Sequence, residues 1–98
     1  MINPTVGRVV WYRPGTFDRE HGVAVNGDQP LAALVATVWS DRVVNLVVFD
    51  ANGTTFSRSS VTLVQEGDAV PESREYCEWM PYQIGQAKKH EAEGEKAA

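Results

Sequence analysis

One cysteine, Cys77, occurs in the chain of 98 residues. An internal disulfide and a cysteine-rich metal site are therefore excluded, in agreement with a reducing compartment. Apolar residues never run to the roughly 18 in succession that a membrane-spanning helix needs. The first residues also lack the basic-then-apolar order of a secretory leader, so the chain is expected to remain in the cytosol. Lysine is missing before Lys88, and histidine is scarce. His21 falls in a charged stretch and His90 in a charged tail, without the paired spacing that metal ligands on one helix or hairpin require. Ser57, Ser59 and Ser60 have no histidine and acid set around them in a nucleophile motif, and no cofactor motif is present.

What the chain holds in quantity is β-forming sequence. Leu31–Trp39, Val43–Phe49 and Thr54–Val64 are rich in β-branched and aromatic side chains, which suit a pleated, half-buried surface. Ser40-Asp41-Arg42 separates the first two. Asp50-Ala51-Asn52-Gly53 separates the second and third, with Gly53 able to adopt the positive φ of a tight hairpin. Asn52-Gly53-Thr54 also fits a glycosylation acceptor in form, but the flanking strands assign it to the turn. A first strand is read over Thr5–Tyr12, stopped by Pro14-Gly15, and a short fifth over Glu75–Met80, stopped by Pro81.

Residues 13–30 form a long connection without sustained periodicity, the first place to look for a site. Residues 65–74 are a second polar connection. This arrangement suits an all-β domain over residues 1–83: a small five-stranded antiparallel barrel of the SH3-like type, with strand one beside both strand two and strand five. An open meander is the alternative. Residues 84–98 are a charged tail rich in Ala, Glu and Lys, helical or disordered.

Strict alternation leaves the central hairpin apolar on both faces. Val44, Leu46 and Val48 share one side of the third strand, and Val43, Asn45, Val47 and Phe49 share the other. In the second strand the sets are Leu34, Ala36 and Val38 against Ala33, Val35, Thr37 and Trp39. One barrel has one interior, so the surplus face is expected to meet the tail, the long loop or a second copy, and a homo-oligomer is the reading adopted.

Every basic residue before Lys88 is an arginine: Arg8, Arg13, Arg19, Arg42, Arg58 and Arg74. A guanidinium pairs with phosphate or carboxylate through two bonds and stacks on flat rings. The total charge is -4, and an acidic body disfavours binding to duplex nucleic acid. Trp11, Tyr12, Trp39, Tyr76, Trp79 and Tyr82 lie near strand ends, where rings interleaved with arginines can stack a base while guanidinium groups hold phosphate. Filling the core of a tiny barrel is the competing use of these rings. Trp79, followed by Met80-Pro81-Tyr82, is expected to be half exposed. Asp18, Glu20 and Asp28 are the carboxylates available for acid–base work in the long loop.

The order Thr5-Val-Gly-Arg-Val-Val-Trp-Tyr12, Ala32-Ala-Leu-Val-Ala-Thr-Val38, Val44-Asn-Leu-Val-Val-Phe-Asp50 and a Trp-containing ending with Pro81 resembles a family of small tailed-bacteriophage proteins. The likeness covers residues 5–82. The ending departs from the pattern, since Tyr76-Cys-Glu-Trp-Met-Pro-Tyr-Gln83 replaces a shorter Trp-x-Trp-Pro. The resemblance implies a phage accessory protein acting in the cytoplasm of the infected host. It further implies a non-enzymatic sponge that sequesters a nucleotide-derived defence signal, a cyclic oligonucleotide or an ADP-ribose derivative. Trp11, Tyr12, Trp39 and Tyr76 would stack its bases and Arg13, Arg19 and Arg58 would clamp its phosphates, in pockets between subunits, with Trp79 a further ligand-binding residue. A module that docks and inhibits a host or phage protein is the alternative.

Overall fold

Strands form where the β-branched runs lie. The computed structural model describes residues 1–97, with side chains through residue 91. Its strands are β1 (Val9–Arg13), β2 (Leu31–Ser40), β3 (Val43–Phe49), β4 (Thr55–Val64) and β5 (Tyr76–Glu78); α1 (Thr16–Glu20) follows β1, and α2 (Pro81–Ala97) follows β5. The strands follow one another around a closed barrel in chain order, with β5 completing the ring against β1.

Four details differ from the sequence reading. The sheet is mixed, because β5 runs parallel to β4 while every other pair is antiparallel. Residues 65–75 are no hairpin turn, and parallel neighbours need a crossover of about that length. Strand β1 begins at Val9, because Gly7 adopts φ +92 and Arg8 N–H donates to the Thr5 carbonyl at 3.2 Å, making a turn of the expected first residues. The long connection contains the short α1. Residues 81–83, assigned to the β domain, are the first turn of α2, where proline's fixed φ and missing N–H suit a helix start. Of the tail, Ala98 lies outside the described residues.

The hairpin between β3 and β4 forms as its residues dictate. Asp50 Oδ1 accepts the N–H groups of Asn52 and Thr54, both at 2.9 Å, and Gly53 takes φ +86.

Inward side chains fill the barrel: Val10 and Tyr12 from β1, Leu31, Ala33 and Val35 from β2, Val44, Leu46 and Val48 from β3, Val61 and Leu63 from β4, then Cys77 and Trp79. The two-residue alternation is broken twice. In β2 the register shifts between Val35 and Thr37, after which Val38 packs against the core and Trp39 points to water, 65% exposed. A β-bulge inserts one residue and so exchanges the two faces of the strand beyond it. The expected grouping of Trp39 with Ala33 and Val35 is corrected accordingly. Strand β4 changes phase in the same way near Ser60, a non-glycine residue at φ +53, opposite the shift at Asn45. Asn45 serves both irregularities: its Oδ1 accepts the Trp39 indole N–H at 2.9 Å and the Ser60 backbone N–H at 2.7 Å.

On β3 the outward residues Val43, Asn45, Val47 and Phe49 are only half-buried. The large apolar side chains that stand exposed on the strands are Val9 and Trp39 instead. Among the described residues, no helix is long and apolar enough to cross a membrane.

Candidate functional site

Chain topology brings two connections to one end of the barrel. Strand β1 ends at Arg13 and β5 begins at Tyr76, and these residues face each other in the β1–β5 register. The segment after β1 and the segment before β5 must then run side by side. Gly15 is where they touch. A Cβ there would lie 2.6 Å from Glu75 N and 3.0 Å from the Arg74 carbonyl carbon, so only glycine admits this backbone-to-backbone crossing. Thr16 N–H then donates to the Ser73 carbonyl at 3.2 Å.

Helix α1 is fixed from below by Asp18, whose side chain is 2% exposed. Oδ2 accepts the Tyr12 hydroxyl at 2.5 Å and the Gly15 N–H at 3.3 Å, while Oδ1 accepts Arg58 Nε at 3.1 Å and Arg58 Nη2. All the acceptor directions of the carboxylate are thus used. Burial by itself raises the pKa of Asp18, but the Tyr12 and Arg58 hydrogen bonds, the guanidinium charge and Gly15 N–H outweigh it and hold the group below the usual carboxylate range. Tyr12 is pushed well above its usual range, first by burial and then by the neighbouring carboxylate. The triad ties β1, α1 and β4 together across the side where β5 is shortest, since β4 and β5 share only the pairs Leu63–Cys77 and Val64–Glu78.

Between α1 and the β4–β5 connection opens a cleft of about 390 Å³. Arg13 and Tyr76 come from the sheet, Thr16 and Arg19 from α1, and Asp28 and Gln29 from the end of the long connection. Val70, Pro71, Glu72, Ser73 and Arg74 form the opposite wall. Arg13 donates to the Asp28 carbonyl at 3.0 Å, approaches Glu78 at 3.4 Å and lies 5.6 Å from the Trp11 ring centre. Its Nε is buried with no hydrogen-bond partner. Arg19 and Arg74 make no ion pair among the described residues.

A comparison with family models, curated proteins and solved structures finds no match to this chain. Function is therefore read from the site's own chemistry.

The cleft unites Arg13, Arg19 and Tyr76 of the sequence-derived candidates, with half-buried Trp11 beside Arg13. The others lie elsewhere. Tyr12 is in the core, its ring 6.1 Å from Phe56 and its hydroxyl bound to Asp18. Arg58 is committed to the same carboxylate. Trp39 stands at the far end of β2 against Asn45. Trp79 is 2% exposed rather than half exposed. It is anchored by its indole N–H to Gln65 Oε1 at 3.1 Å, and Gln65 in turn binds the carbonyls of Ile2 and Asp41. Among the carboxylates suggested for acid–base work, Asp18 is fully occupied. His21 lies on the α1 side of the long connection, its ring stacked on Phe17 at 3.9 Å. Sequence reasoning missed Arg74, Ser73, Glu72 and Thr16 as parts of the site. The signal was available, because closing strand one on strand five necessarily sets residues 14–16 beside 72–75.

Proposed function

We propose that this barrel is a non-catalytic binding module that sequesters a nucleotide-derived signalling molecule. One observation carries the reading: Arg19 and Arg74, neither held in an ion pair among the described residues, line a single cleft together with Arg13 and Tyr76. Guanidinium forks suit phosphate oxygens, and a tyrosine ring beside Pro14, Val70 and Pro71 suits the flat, apolar part of the same ligand. Together with the resemblance to tailed-phage proteins, this supports the reading of an accessory factor that withdraws a cyclic oligonucleotide or ADP-ribose derivative of bacterial defence from the infected cell's cytoplasm. Exposed Val9 and Trp39, beside half-buried Leu34, Val47 and Phe49, support self-association in the same reading.

The test is uptake and release. Purified protein is mixed with a panel of cyclic dinucleotides and ADP-ribose cyclisation products, freed of unbound material, then heated. Intact recovery of a bound compound is expected; a chemically altered product would reassign the protein to catalysis. Arg19→Ala and Arg74→Ala should each weaken uptake about tenfold or more, as expected for loss of a charged hydrogen bond, with melting temperatures unchanged for these exposed side chains. Uptake undiminished in both variants would remove the cleft from the function. Light scattering on the same samples checks assembly, which a strict monomer would exclude.

A further inference from the structure

The cleft carries both signs of charge, left unneutralised. Arg19 and Arg74 line it together with Asp28 and Glu72, yet no ion pair joins these four among the described residues, and neither carboxylate group accepts a hydrogen bond from the described side chains or backbone. Arg13, also lining the cleft, keeps a buried Nε without an acceptor, the one such side-chain atom among the described residues. That nitrogen is closed to solvent and the rest of the group is bonded to the Asp28 carbonyl and Glu78, so the guanidinium groups left to a ligand are those of Arg19 and Arg74.

A bare anion would satisfy the arginines and be repelled by the acids. The fitting ligand presents phosphate oxygens to the guanidinium groups and hydrogen-bond donors to the carboxylates. Vicinal hydroxyls are such donors, and an acidic side chain is the usual reader of a ribose 2′-hydroxyl in nucleotide sites. The cleft volume of about 390 Å³ stands near the lower end of ligand-pocket sizes, roughly 300–1,000 Å³. One protomer thus has room for a single nucleotide unit.

We infer that Asp28 and Glu72 read the ribose hydroxyls of one phosphorylated ribonucleoside unit whose phosphates lie on Arg19 and Arg74. This rests on the nucleotide-binding reading above and specifies which part of the ligand each wall recognises.

The experiment titrates the full chain with adenosine 5′-diphosphate, its 2′-deoxy analogue and inorganic pyrophosphate by calorimetry. The ribonucleotide is expected to bind at least about tenfold tighter than either other probe, as the loss of a charged hydrogen bond would give. In the Asp28→Ala/Glu72→Ala double variant the preference for ribose over deoxyribose should vanish, while deoxy binding is kept or tightened by the lost negative charge. A general electrostatic role would leave that ratio unchanged. Equal binding of ribo and deoxy forms, pyrophosphate binding as tightly as the nucleotide, or a preference that survives in the variant would each overturn the inference. The same holds if compounds of the uptake panel are captured but the diphosphate is not, an outcome that leaves the nucleotide reading standing. Failure of the whole panel and of all three probes would remove both.

Discussion

Replacing Asp18 by asparagine isolates the contact that holds α1 on the barrel. The wild-type carboxylate accepts from Tyr12, Gly15 and Arg58 in a site where its side chain is 2% exposed. An amide has one acceptor oxygen and a donating NH₂. If its oxygen faces Arg58, its nitrogen can donate to the Tyr12 hydroxyl, which accepts as readily as it donates. Gly15 N–H then loses its acceptor and Arg58 loses its counter-charge. Breaking a buried ion pair costs about 3–5 kcal/mol. Arg58 keeps partial solvent access, with its side chain 27% exposed, so the low end applies, about 3 kcal/mol. Against a total of about 5–15 kcal/mol for a domain of this length, that is a large share. The melting temperature should fall by about 12–24 °C, at about 4–8 °C per kcal/mol.

The pH dependence gives this test its sign. Asp18's folded pKa lies below its unfolded value, so its contribution is fully present above the ordinary carboxylate range and is lost as pH falls through the folded pKa. Once protonated, aspartic acid resembles the amide, and the stability gap between wild type and Asp18→Asn should narrow steadily below about pH 4. Other carboxylates titrate in both proteins and largely cancel in the difference. Urea unfolding followed by circular dichroism at a series of pH values measures the gap directly. A gap under about 1 kcal/mol at pH 7, or one that stays constant down to pH 2, would refute the assignment of Asp18 as a charged staple.

Gly15→Ala places a methyl group against the Glu75 backbone, so the two connections must separate. A loss of about 1–3 kcal/mol in urea unfolding is expected, and an unchanged midpoint would show that the crossing is loose. Asn45→Ala removes the acceptor shared by Trp39 and Ser60, and should cost about 1–2 kcal/mol while shifting tryptophan fluorescence. Fluorescence and stability identical to wild type would deny it that role. Cys77 is fully buried, and its thiol is pushed up to about 12 by burial and then by Glu78. Labelling by a thiol reagent at pH 8 should therefore proceed only as fast as the barrel opens, and prompt labelling of the native protein would contradict this.

Strand positions were legible because β-branched runs and turn residues declare themselves locally; the Asp50–Gly53 turn needs nothing beyond its own residues. Closure of strand one on strand five was legible from lengths and connections. The phase changes in β2 and β4 were not. Nothing in Ala36 or Ser60 marks a bulge, and the partner of both irregularities lies across the sheet in Asn45, so alternation counted along one strand misplaced Trp39. Tyr12 and Arg58 carried the chemistry sought for a ligand, yet the fold spent both on Asp18, a residue read as a loop acid. Trp79 went inward because Gln65 supplies its indole with a partner, a pairing set by tertiary structure. Arg19 was legible as a candidate, but Arg74 stood in the sequence only as one of a scattered arginine set, and the two became neighbours of one cleft through the strand pairing that places their connections together.

The crossing at Gly15 also bears on speed. Walls in direct backbone contact at Gly15, joined there by the Thr16–Ser73 hydrogen bond, have little freedom to swing against each other at that point. Capture would then involve no closing step. Association should show a single phase whose rate rises linearly with ligand concentration and falls with added salt, the signature of an open receptacle fed by diffusion and charge.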